Sequence, residues 1–471
     1  MKKIVLILII VISTSKVFSQ TNANDKKYSE VELNKDLDFL VNSIIQTHPN
    51  PFSKISKKKF FGEVDKIKSN FKSGLDYREF YRLIAPLVAS ITDGHTSIKF
   101  PGRKILNDGS KLFPFSATCN FKKKSIILNE YIGENSSIPS NAELISINNI
   151  SSEKIIEKII DNTSGESKEY RLKMGSNFYF FGMILKTYFD FNGNFEVKYI
   201  ANDTIETKTI EAISFKNFMD IAKSKKSPKN QVVDESADYI LTIKPEIKTA
   251  IIDFKYFNDE EKFDLFLKKS FDSINKLEIK NLIIDIRANG GGNSALGDQL
   301  FKYIARKPFT QFGKTTIKFS QLQKDYYEQN CKEDSTFCET YKYISKQKNG
   351  KIVNLKSDGL IVPNNSPNHF DGNIYLLTSL RTFSSASNFA QCFKNYKMGT
   401  IIGEETGGWI VCYGDKIITK LPITEMPLTI STKKFYTIGS TDKDSHGIIP
   451  DIEIDAEKSL EFVLNKITNE K

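Results

Sequence analysis

The sequence predicts an α/β fold with a mostly parallel sheet, preceded by a helical domain and a smaller domain of short strands. Apolar residues recur at three- and four-residue steps across residues 31–91, as on the buried faces of α-helices. Short strand-like runs follow in residues 112–213. From residue 249 to 402 strand patterns alternate with helix patterns, which favours parallel strands joined by right-handed crossovers.

Residues 1–19 have the pattern of a secretory signal peptide. Lys2 and Lys3 precede an apolar run over residues 4–12, and small residues surround the expected cleavage site at Ser19. The run is too short to span a bilayer stably, and no cysteine follows it as a lipid-anchor site. We expect an exported protein, periplasmic or extracellular, with no integral membrane segment after removal of the signal.

The remaining chain divides by its patterns into an N-terminal helical domain (20–110), a strand-rich domain (111–213), a polar, lysine-rich linker (214–240) and a core (241–471) interrupted by a polar insertion (309–370). Within the second domain, residues 142–160 read AELISINNISSEKIIEKII. This segment resembles the strand, turn and helix of a PDZ domain, so we expect a PDZ-like domain there.

Composition excludes some functional classes. The net charge of +10 and pI near 9.0 come from lysines spread along the whole chain, and no motif combines basic and aromatic residues, so we expect no nucleic-acid partner. No spacing of His and Cys is typical of a metal site, and we expect no metal and no cofactor. Cys331 and Cys338 flank a short polar loop, and whether they pair is left open.

The sequence pattern of the core predicts seven elements in the order strand, helix, strand, helix, strand, helix, strand. Their residues are 249–254, 260–274, 281–286, 294–304, 374–377, 385–396 and 400–402. Loops at the carboxyl ends of parallel strands are where sites form in such sheets.

Two of these loops carry candidate chemistry. Ser385 follows the strand 374–377 and opens a helix, where unpaired N–H groups and the helix dipole favour negative charge; it is a candidate nucleophile or a helix cap. Gly290, Gly291 and Gly292 follow the strand 281–286 and can aim N–H groups at an oxyanion, or simply make a tight turn. Neither a P-loop nor a dinucleotide fingerprint is present.

Histidine is scarce, with four in the chain. His95 lies in a polar, glycine-containing break after a predicted helix and can present its imidazole to a neighbouring domain as a base. His48 lies at a predicted helix end and His369 in a predicted loop, so neither is favoured as the base. His446 stays a further candidate.

Four motifs in a fixed order carry a family resemblance. They are Asp285-x-Arg287-x-Asn289-x-Gly291-Gly292, Ser385-Ala386-Ser387, Gly403-Glu404-x-Thr406-x-Gly408 and Gly447-Ile448-x-Pro450-Asp451. Together they resemble the S41 serine peptidases, which include the C-terminal (tail-specific) processing proteases and the tricorn core protease. The resemblance implies a ClpP/crotonase-like core and a serine peptidase that needs no cofactor.

Two catalytic schemes occur in that family. In the Ser-Lys scheme the lysine of Gly-Glu-Pro-Thr-x-Gly-Lys is the base, but Trp409 stands at its position here. In the tricorn-like branch the base comes from an Asp-Gly-His-Thr segment, matched by residues 93–96, and an acid precedes the Gly-Ile-x-Pro-Asp glycine by three residues, at Asp444. The resemblance therefore implies a Ser385–His95–Asp444 triad, with Lys416 as the alternative base.

The predicted reaction is hydrolysis of peptides or unfolded protein tails through an acyl-enzyme. The oxyanion hole would come from Gly291, Gly292 and Ala386. The alternative is a catalytically silent S41-fold protein that binds a peptide or an apolar ligand. An esterase is disfavoured because the Gly-x-Ser-x-Gly elbow is absent.

Overall fold

The structure is a computed structural model that describes residues 26–107, 109–133, 137–177, 181–191, 193–225, 238–357, 359–364 and 368–469. The predicted signal peptide and residues 226–237 of the predicted linker lie outside the described residues. Within them, no helix is both long and apolar enough to cross a bilayer.

The helices are α1 (Glu30–Thr47), α2 (Lys57–Lys68), α3 (Tyr77–Ala89), α4 (Ser152–Asn162), α5 (Lys168–Gly175), α6 (Phe181–Tyr188), α7 (Phe215–Lys225), α8 (Glu260–Lys276), α9 (Ala295–Ile304), α10 (Gln321–Glu333), α11 (Cys338–Ile344), α12 (Ser385–Asn395) and α13 (Ala456–Asn469). The strands are β1 (Ser97–Ile98), β2 (Lys111–Leu112), β3 (Phe115–Asn120), β4 (Ser125–Tyr131), β5 (Ala142–Ile147), β6 (Ile150–Ser151), β7 (Phe195–Ala201), β8 (Thr204–Ile210), β9 (Ile213–Ser214), β10 (Tyr239–Lys244), β11 (Thr249–Phe254), β12 (Asn281–Asp285), β13 (Phe312–Lys318), β14 (Ile352–Lys356), β15 (Asn373–Thr378), β16 (Thr400–Gly403), β17 (Val411–Lys420), β18 (Pro427–Thr437) and β19 (Ile452–Glu453).

The N-terminal helices start at well-defined caps. In α1 the Ser29 hydroxyl accepts from the Glu32 N–H while the Glu32 carboxylate accepts from the Ser29 N–H, and Asp76 and Glu79 repeat this capping box at α3. Each box satisfies two N–H groups that the first helical turn leaves unpaired. The helical pattern predicted for residues 31–91 is confirmed as α1, α2 and α3.

A six-stranded sheet in the order β10-β11-β12-β15-β16-β19 forms the C-terminal core. Only β10–β11 pairs antiparallel in it. Helices cover both faces, so β11 and β12 are apolar almost throughout. The other described sheets pair antiparallel, and the fold as a whole is mixed α/β, with parallel pairing confined to this core.

The middle of the chain forms an antiparallel sheet in the order β3-β4-β5-β7-β8, with β6 paired to β5 and α4 packed on it. The strand predicted within residues 142–160 is β5, and the predicted helix is α4. The short strand β6 lies between them, directly after the turn. The relation of this segment to a PDZ domain and the domain boundaries themselves stay predictions.

A long antiparallel hairpin, β17–β18, joins the N-terminal part to the core. The β18 strand pairs with β17, with β13 from the insertion and, at Thr429 and Leu428, with the short strand β1. One apolar cluster runs from the helices through the middle sheet to this hairpin, where it includes Ile417, Leu428 and Ile430. At the hairpin tip, the buried Asp36 carboxylate of α1 accepts from the backbone N–H groups of Ile423 and Thr424 at 2.7 and 2.8 Å.

The described part of the insertion 309–370 is folded, since it contributes β13 and β14 to the hairpin sheet and carries α10 and α11. Cys331 and Cys338, at the end of α10 and the start of α11, form a disulfide. That settles the pairing the sequence left open.

Candidate active site

A tight bend connects β15 to α12 and ends at Ser384. This residue has φ +54° and ψ −127°, a region that non-glycine residues rarely occupy. The Phe383 N–H donates to the Asn289 carbonyl at 3.0 Å, and the Thr382 hydroxyl donates to the Ile286 carbonyl at 2.8 Å. The loop after β12 thus holds Ser384 in an unfavourable conformation, a feature that clusters at functional sites.

The imidazole of His95 meets Ser384, not Ser385. His95 Nε2 lies 3.0 Å from Ser384 Oγ. The Ser385 hydroxyl instead donates to the carbonyl of Gly292 at 2.5 Å. The predicted approach of Ser385 to His95 is therefore wrong by one residue, because α12 already begins at Ser385 and only the bend residue before it faces the imidazole.

The backbone of His95 is held from both sides. Its N–H donates to Asp93 Oδ1 at 2.9 Å, and its carbonyl accepts from the Thr429 hydroxyl at 2.8 Å. The ring stacks on Phe383, with centroids 5.0 Å apart, and Phe383 stacks in turn on Tyr170. The β18 strand and the bend before Ser384 thereby set the position of this histidine.

Asp93 is a fully buried carboxylate beneath the His95 loop. Its Oδ2 accepts from the Ser431 hydroxyl at 2.7 Å and lies 3.2 Å from His48 Nε2. His48 Nδ1 accepts the Asn50 N–H, so Nε2 carries the proton donated to Asp93. Burial would raise the pKa of Asp93, but the hydrogen bonds from His48 and Thr96 lower it well below its usual range. His48 thus helps to keep the Asp93 carboxylate ionised.

Glu166, in the loop before α5, lies close to the imidazole of His95. Both His95 Nδ1 and Glu166 Oε2 are buried and have no hydrogen-bond partner among the described residues. Burial and the charge of Asp93 raise the pKa of Glu166 to about 8. Burial and the charge of Lys416 lower the pKa of His95, although Asp93 acts in the opposite direction. The lowered pKa favours a neutral imidazole at neutral pH.

Asp93, His95 and Glu166 form a compact cluster. One side-chain nitrogen or oxygen atom from each of them lies within 4.8 Å of the other two. Both Asp93 oxygens already accept hydrogen bonds, so the unpaired atoms of this cluster are His95 Nδ1 and Glu166 Oε2.

The glycine turn packs directly against the serine bend. Gly291 and Gly292 have φ +97° and +140°, and a Cβ on Gly291 would lie 2.7 Å from Ser384 Cβ and 2.9 Å from Ser385 N. The Gly291 N–H donates to Asn289 Oδ1, and the Ala386 N–H donates to the Phe383 carbonyl. Both are therefore unavailable for the oxyanion role predicted for them. The N–H groups of Gly292 and Ser385 have no acceptor within the described residues.

A cavity of about 890 Å³ opens at the Ser384 hydroxyl. It is lined by His95, Ser384, the glycine turn, and side chains of β17 and β18 that include Lys416 and Phe435. Lys416, the alternative base, therefore shares this cavity with the serine and the histidine.

Asp444 does not reach His95. Its Oδ2 accepts from the Thr441 N–H and hydroxyl at 2.7 and 3.0 Å, and its Oδ1 lies 3.8 Å from His446 Nε2. The prediction that Asp444 pairs with the imidazole is contradicted, because the loop 440–446 turns this carboxylate back onto its own backbone. Trp409, at the position of the missing lysine, lies under the Lys54 ammonium group instead.

Sequence reasoning missed two residues of this arrangement. Ser384 carried a usable signal, since the residue before the first helical turn is the one that can adopt a bend. Glu166 carried none, because it lies outside the four motifs, in the middle of the chain.

Residues 248–454 match the model of peptidase family S41. These residues form an S41 peptidase domain. The match supports a serine-type peptidase, a hydrolase acting on peptide substrates, as the motifs predicted. A search of curated protein sequences gives no significant match.

Solved structures share the fold at low sequence identity. Mature CPAF is 12% identical with a TM-score of 0.62, covering 93% of this chain and 98% of its own. Mature CPAF in complex with lactacystin is also 12% identical, with a TM-score of 0.60, covering 94% and 100%. The photosystem II D1 C-terminal processing protease is 14% identical with a TM-score of 0.41, covering 92% and 96%. The likeness to CPAF therefore extends beyond the S41 domain to nearly the whole chain.

Proposed function

We propose that this S41 protein is an exported peptidase that cleaves peptides or unfolded protein tails with Ser384 as the nucleophile and His95 as the general base. The observation that carries the proposal is the 3.0 Å approach of His95 Nε2 to Ser384 Oγ at the bend before α12. A neutral imidazole within hydrogen-bond reach of a serine is the arrangement that general-base catalysis needs.

The reaction proceeds in two halves. Ser384 Oγ attacks the scissile carbonyl carbon while its proton passes to His95 Nε2, and the carbonyl oxygen takes up negative charge. The imidazolium then gives that proton to the leaving amine, which departs as the C–N bond breaks. A water molecule, deprotonated by the same nitrogen, attacks the acyl-enzyme and releases the carboxylate product and the free serine.

The oxyanion of each tetrahedral intermediate would be held by the N–H groups of Ser385 and Gly292. Both lie beside Ser384 and have no other acceptor within the described part of the chain. Because α12 starts at Ser385, its dipole adds to this stabilisation. The backbone positions the donors before the reaction, so no reorganisation is needed when the charge develops.

The neighbouring serines provide a matched test. Ser384→Ala should lose peptide hydrolysis by about a thousandfold or more and lose labelling by a fluorophosphonate probe. Ser385→Ala is the same change at the neighbouring residue and removes a buried hydroxyl group that donates only to the Gly292 carbonyl. This variant should keep both the labelling and most of the activity. Mass spectrometry of the labelled peptide then locates the adduct on one serine.

Two results would overturn the assignment. An adduct on Ser385, or full activity of Ser384→Ala, would reject Ser384 as the nucleophile. No labelling and no hydrolysis by the wild-type chain would favour the silent binding protein. Since mature CPAF has been solved in complex with lactacystin, this compound is a second probe, and any adduct is expected on Ser384.

Export rests on residues 1–19 alone. Expression of the full chain in a bacterial host, followed by N-terminal sequencing of the periplasmic fraction, should find a chain that starts near Gln20. An intact N-terminus confined to the cytoplasm would reject this part of the proposal.

A further inference from the structure

Two unpaired polar atoms lie near each other behind the reacting nitrogen of His95. Nδ1 of His95 and Oε2 of Glu166 are buried and have no hydrogen-bond partner within the described residues. The Glu166 atom in the cluster lies within 4.8 Å of the imidazole atom. Unsatisfied polar groups are rare in a protein interior because each loses its hydrogen bonds to water without replacement. A pair of them at one place indicates an interaction that forms during function.

The loop is built so that this carboxyl group can approach. A Cβ on Gly94 would lie 3.1 Å from Glu166 Oε2 and 2.6 Å from the Phe383 ring, so a side chain at residue 94 would displace both. The Gly94 N–H also faces Glu166 Oε1 at 3.4 Å. Glycine next to the histidine therefore leaves the space that Glu166 occupies.

Asp93 is the nearer carboxylate but is already engaged. Its Oδ1 lies 3.8 Å from His95 Nδ1, beyond hydrogen-bond range, and accepts the His95 N–H. Its Oδ2 accepts hydrogen bonds from His48 and Ser431. Asp93 thus orients the backbone of the loop and leaves Nδ1 unpaired.

We propose that Glu166 is the positioning acid of His95, and that its protonation decides which imidazole tautomer faces Ser384. The ionised carboxylate accepts a hydrogen bond from Nδ1–H and leaves Nε2 unprotonated, ready to take the serine proton. The neutral carboxyl group donates to Nδ1, which places the imidazole proton on Nε2 and blocks general-base catalysis. Passing from the second state to the first releases one proton to solvent.

The charges around Glu166 place this change within an accessible pH range. Burial and Asp93 raise the pKa of Glu166 to about 8, and Arg171 and the Gly94 N–H act in the opposite direction. Tyr170 and Cys412 are buried nearby, and Lys54, Lys434, Asp442 and Asp444 line the small pocket that Glu166 also borders. Ionisation of a group with a raised pKa occurs as pH rises through that value, so the active tautomer should dominate only above about pH 8.

The kinetic test rests on the proposed function, since it needs hydrolysis at Ser384. Wild-type kcat should rise about tenfold from pH 7 to pH 9, the ratio of ionised fractions for a pKa of about 8. Glu166→Gln should lose this rise and, at pH 9, lower kcat about tenfold or more with KM unchanged. Glu166→Asp keeps a titrating group and should restore part of the rise. A Glu166→Gln variant with the wild-type profile and kcat would overturn the proposal.

A spectroscopic test is independent of catalysis. ¹⁵N spectra of the wild-type chain, labelled at its four histidines and assigned with His95→Asn, should show the His95 proton moving from Nε2 to Nδ1 as pH rises through about 8. The change should be absent in Glu166→Gln. The rival partner of the imidazole is the Tyr413 carbonyl, which can only accept and would hold the imidazole proton on one nitrogen at every pH. That constant tautomer would overturn the proposal even if the protein proved to be no peptidase.

Discussion

The Nε2 atom of His95 lies 3.0 Å from the Oγ atom of Ser384, although 289 residues separate them in the chain. The β17–β18 hairpin makes this contact possible. It belongs to the S41 domain, yet β18 pairs with β1 immediately after His95 and packs into the same apolar cluster as the N-terminal helices. The pairing of β1 with β18 therefore places His95 next to Ser384, although the two residues are far apart in the sequence.

Gly291 is expected to be essential, whereas its neighbour Gly290 is not. An added methyl group at Gly291 would meet Ser384 Cβ, the Phe383 carbonyl and Ser385 N at 2.7 to 2.9 Å, and φ is +97°. Gly291→Ala should lower kcat/KM by at least about a hundredfold by moving Ser384. At Gly290 a Cβ meets nothing within 4 Å, so Gly290→Ala is the matched control. Equal activity of the two variants would contradict the proposed role of the turn.

Lys416 is expected to contribute to substrate binding rather than to act as the base. It lines the cavity and lowers the pKa of His95 through its charge, whereas the hydrogen bond to Ser384 belongs to His95. Lys416→Ala should change kcat by less than about tenfold, and KM should rise for substrates with a free carboxylate in the cavity. His95→Ala should lose about a thousandfold or more. The reverse ranking would establish a Ser-Lys mechanism.

The core elements could be predicted closely because their periodicity is local. The helix predicted at 260–274 is α8 (Glu260–Lys276), the strand predicted at 281–286 is β12 (Asn281–Asp285), and the helix predicted at 385–396 is α12 (Ser385–Asn395). Strands buried on both faces and helices with one apolar face leave these patterns in any sequence. Parallel pairing was predicted for the core, where it occurs in the one sheet with helices on both faces, whereas the other described sheets are antiparallel.

The site could be predicted only in part, since its final geometry depends on contacts between distant segments. Ser384 rather than Ser385 turns toward His95 because the loop after β12 holds Phe383 by its N–H. Asp444 is withdrawn because the loop 440–446 closes on itself at Thr441. Neither interaction leaves a periodic pattern in the sequence. Motif order located the correct loops but could not choose between adjacent residues.

The disulfide between Cys331 and Cys338 should stabilise the insertion without affecting catalysis. It links cysteines seven positions apart between α10 and α11, and neither lines the cavity at Ser384. Closing so short a loop contributes about 2–3 kcal/mol by restricting the unfolded chain. A Cys331→Ser, Cys338→Ser double variant should lower the free energy of unfolding by about that amount in urea and leave kcat/KM unchanged. Reductant should then affect the wild type alone, and a loss of activity in the variant would contradict this separation.

Asp93 should make the protein sensitive to acid. Burial opposes its ionisation, but His48 and the other donors lower its pKa below the value of about 4 that it has in the unfolded chain. A lowered pKa gives stability that is fully present above about pH 4 and is lost as pH falls through the folded-state value. Asp93→Asn should cost about 3 kcal/mol in urea unfolding at pH 7, because buried donors lose their ionic acceptor, and this difference should shrink below about pH 4. Asp38→Asn, which removes an exposed ion pair with Lys68, should cost less than about 1 kcal/mol at any pH. A difference for Asp93→Asn that stayed constant with pH would show that Asp93 is not the ionised support of the His95 loop.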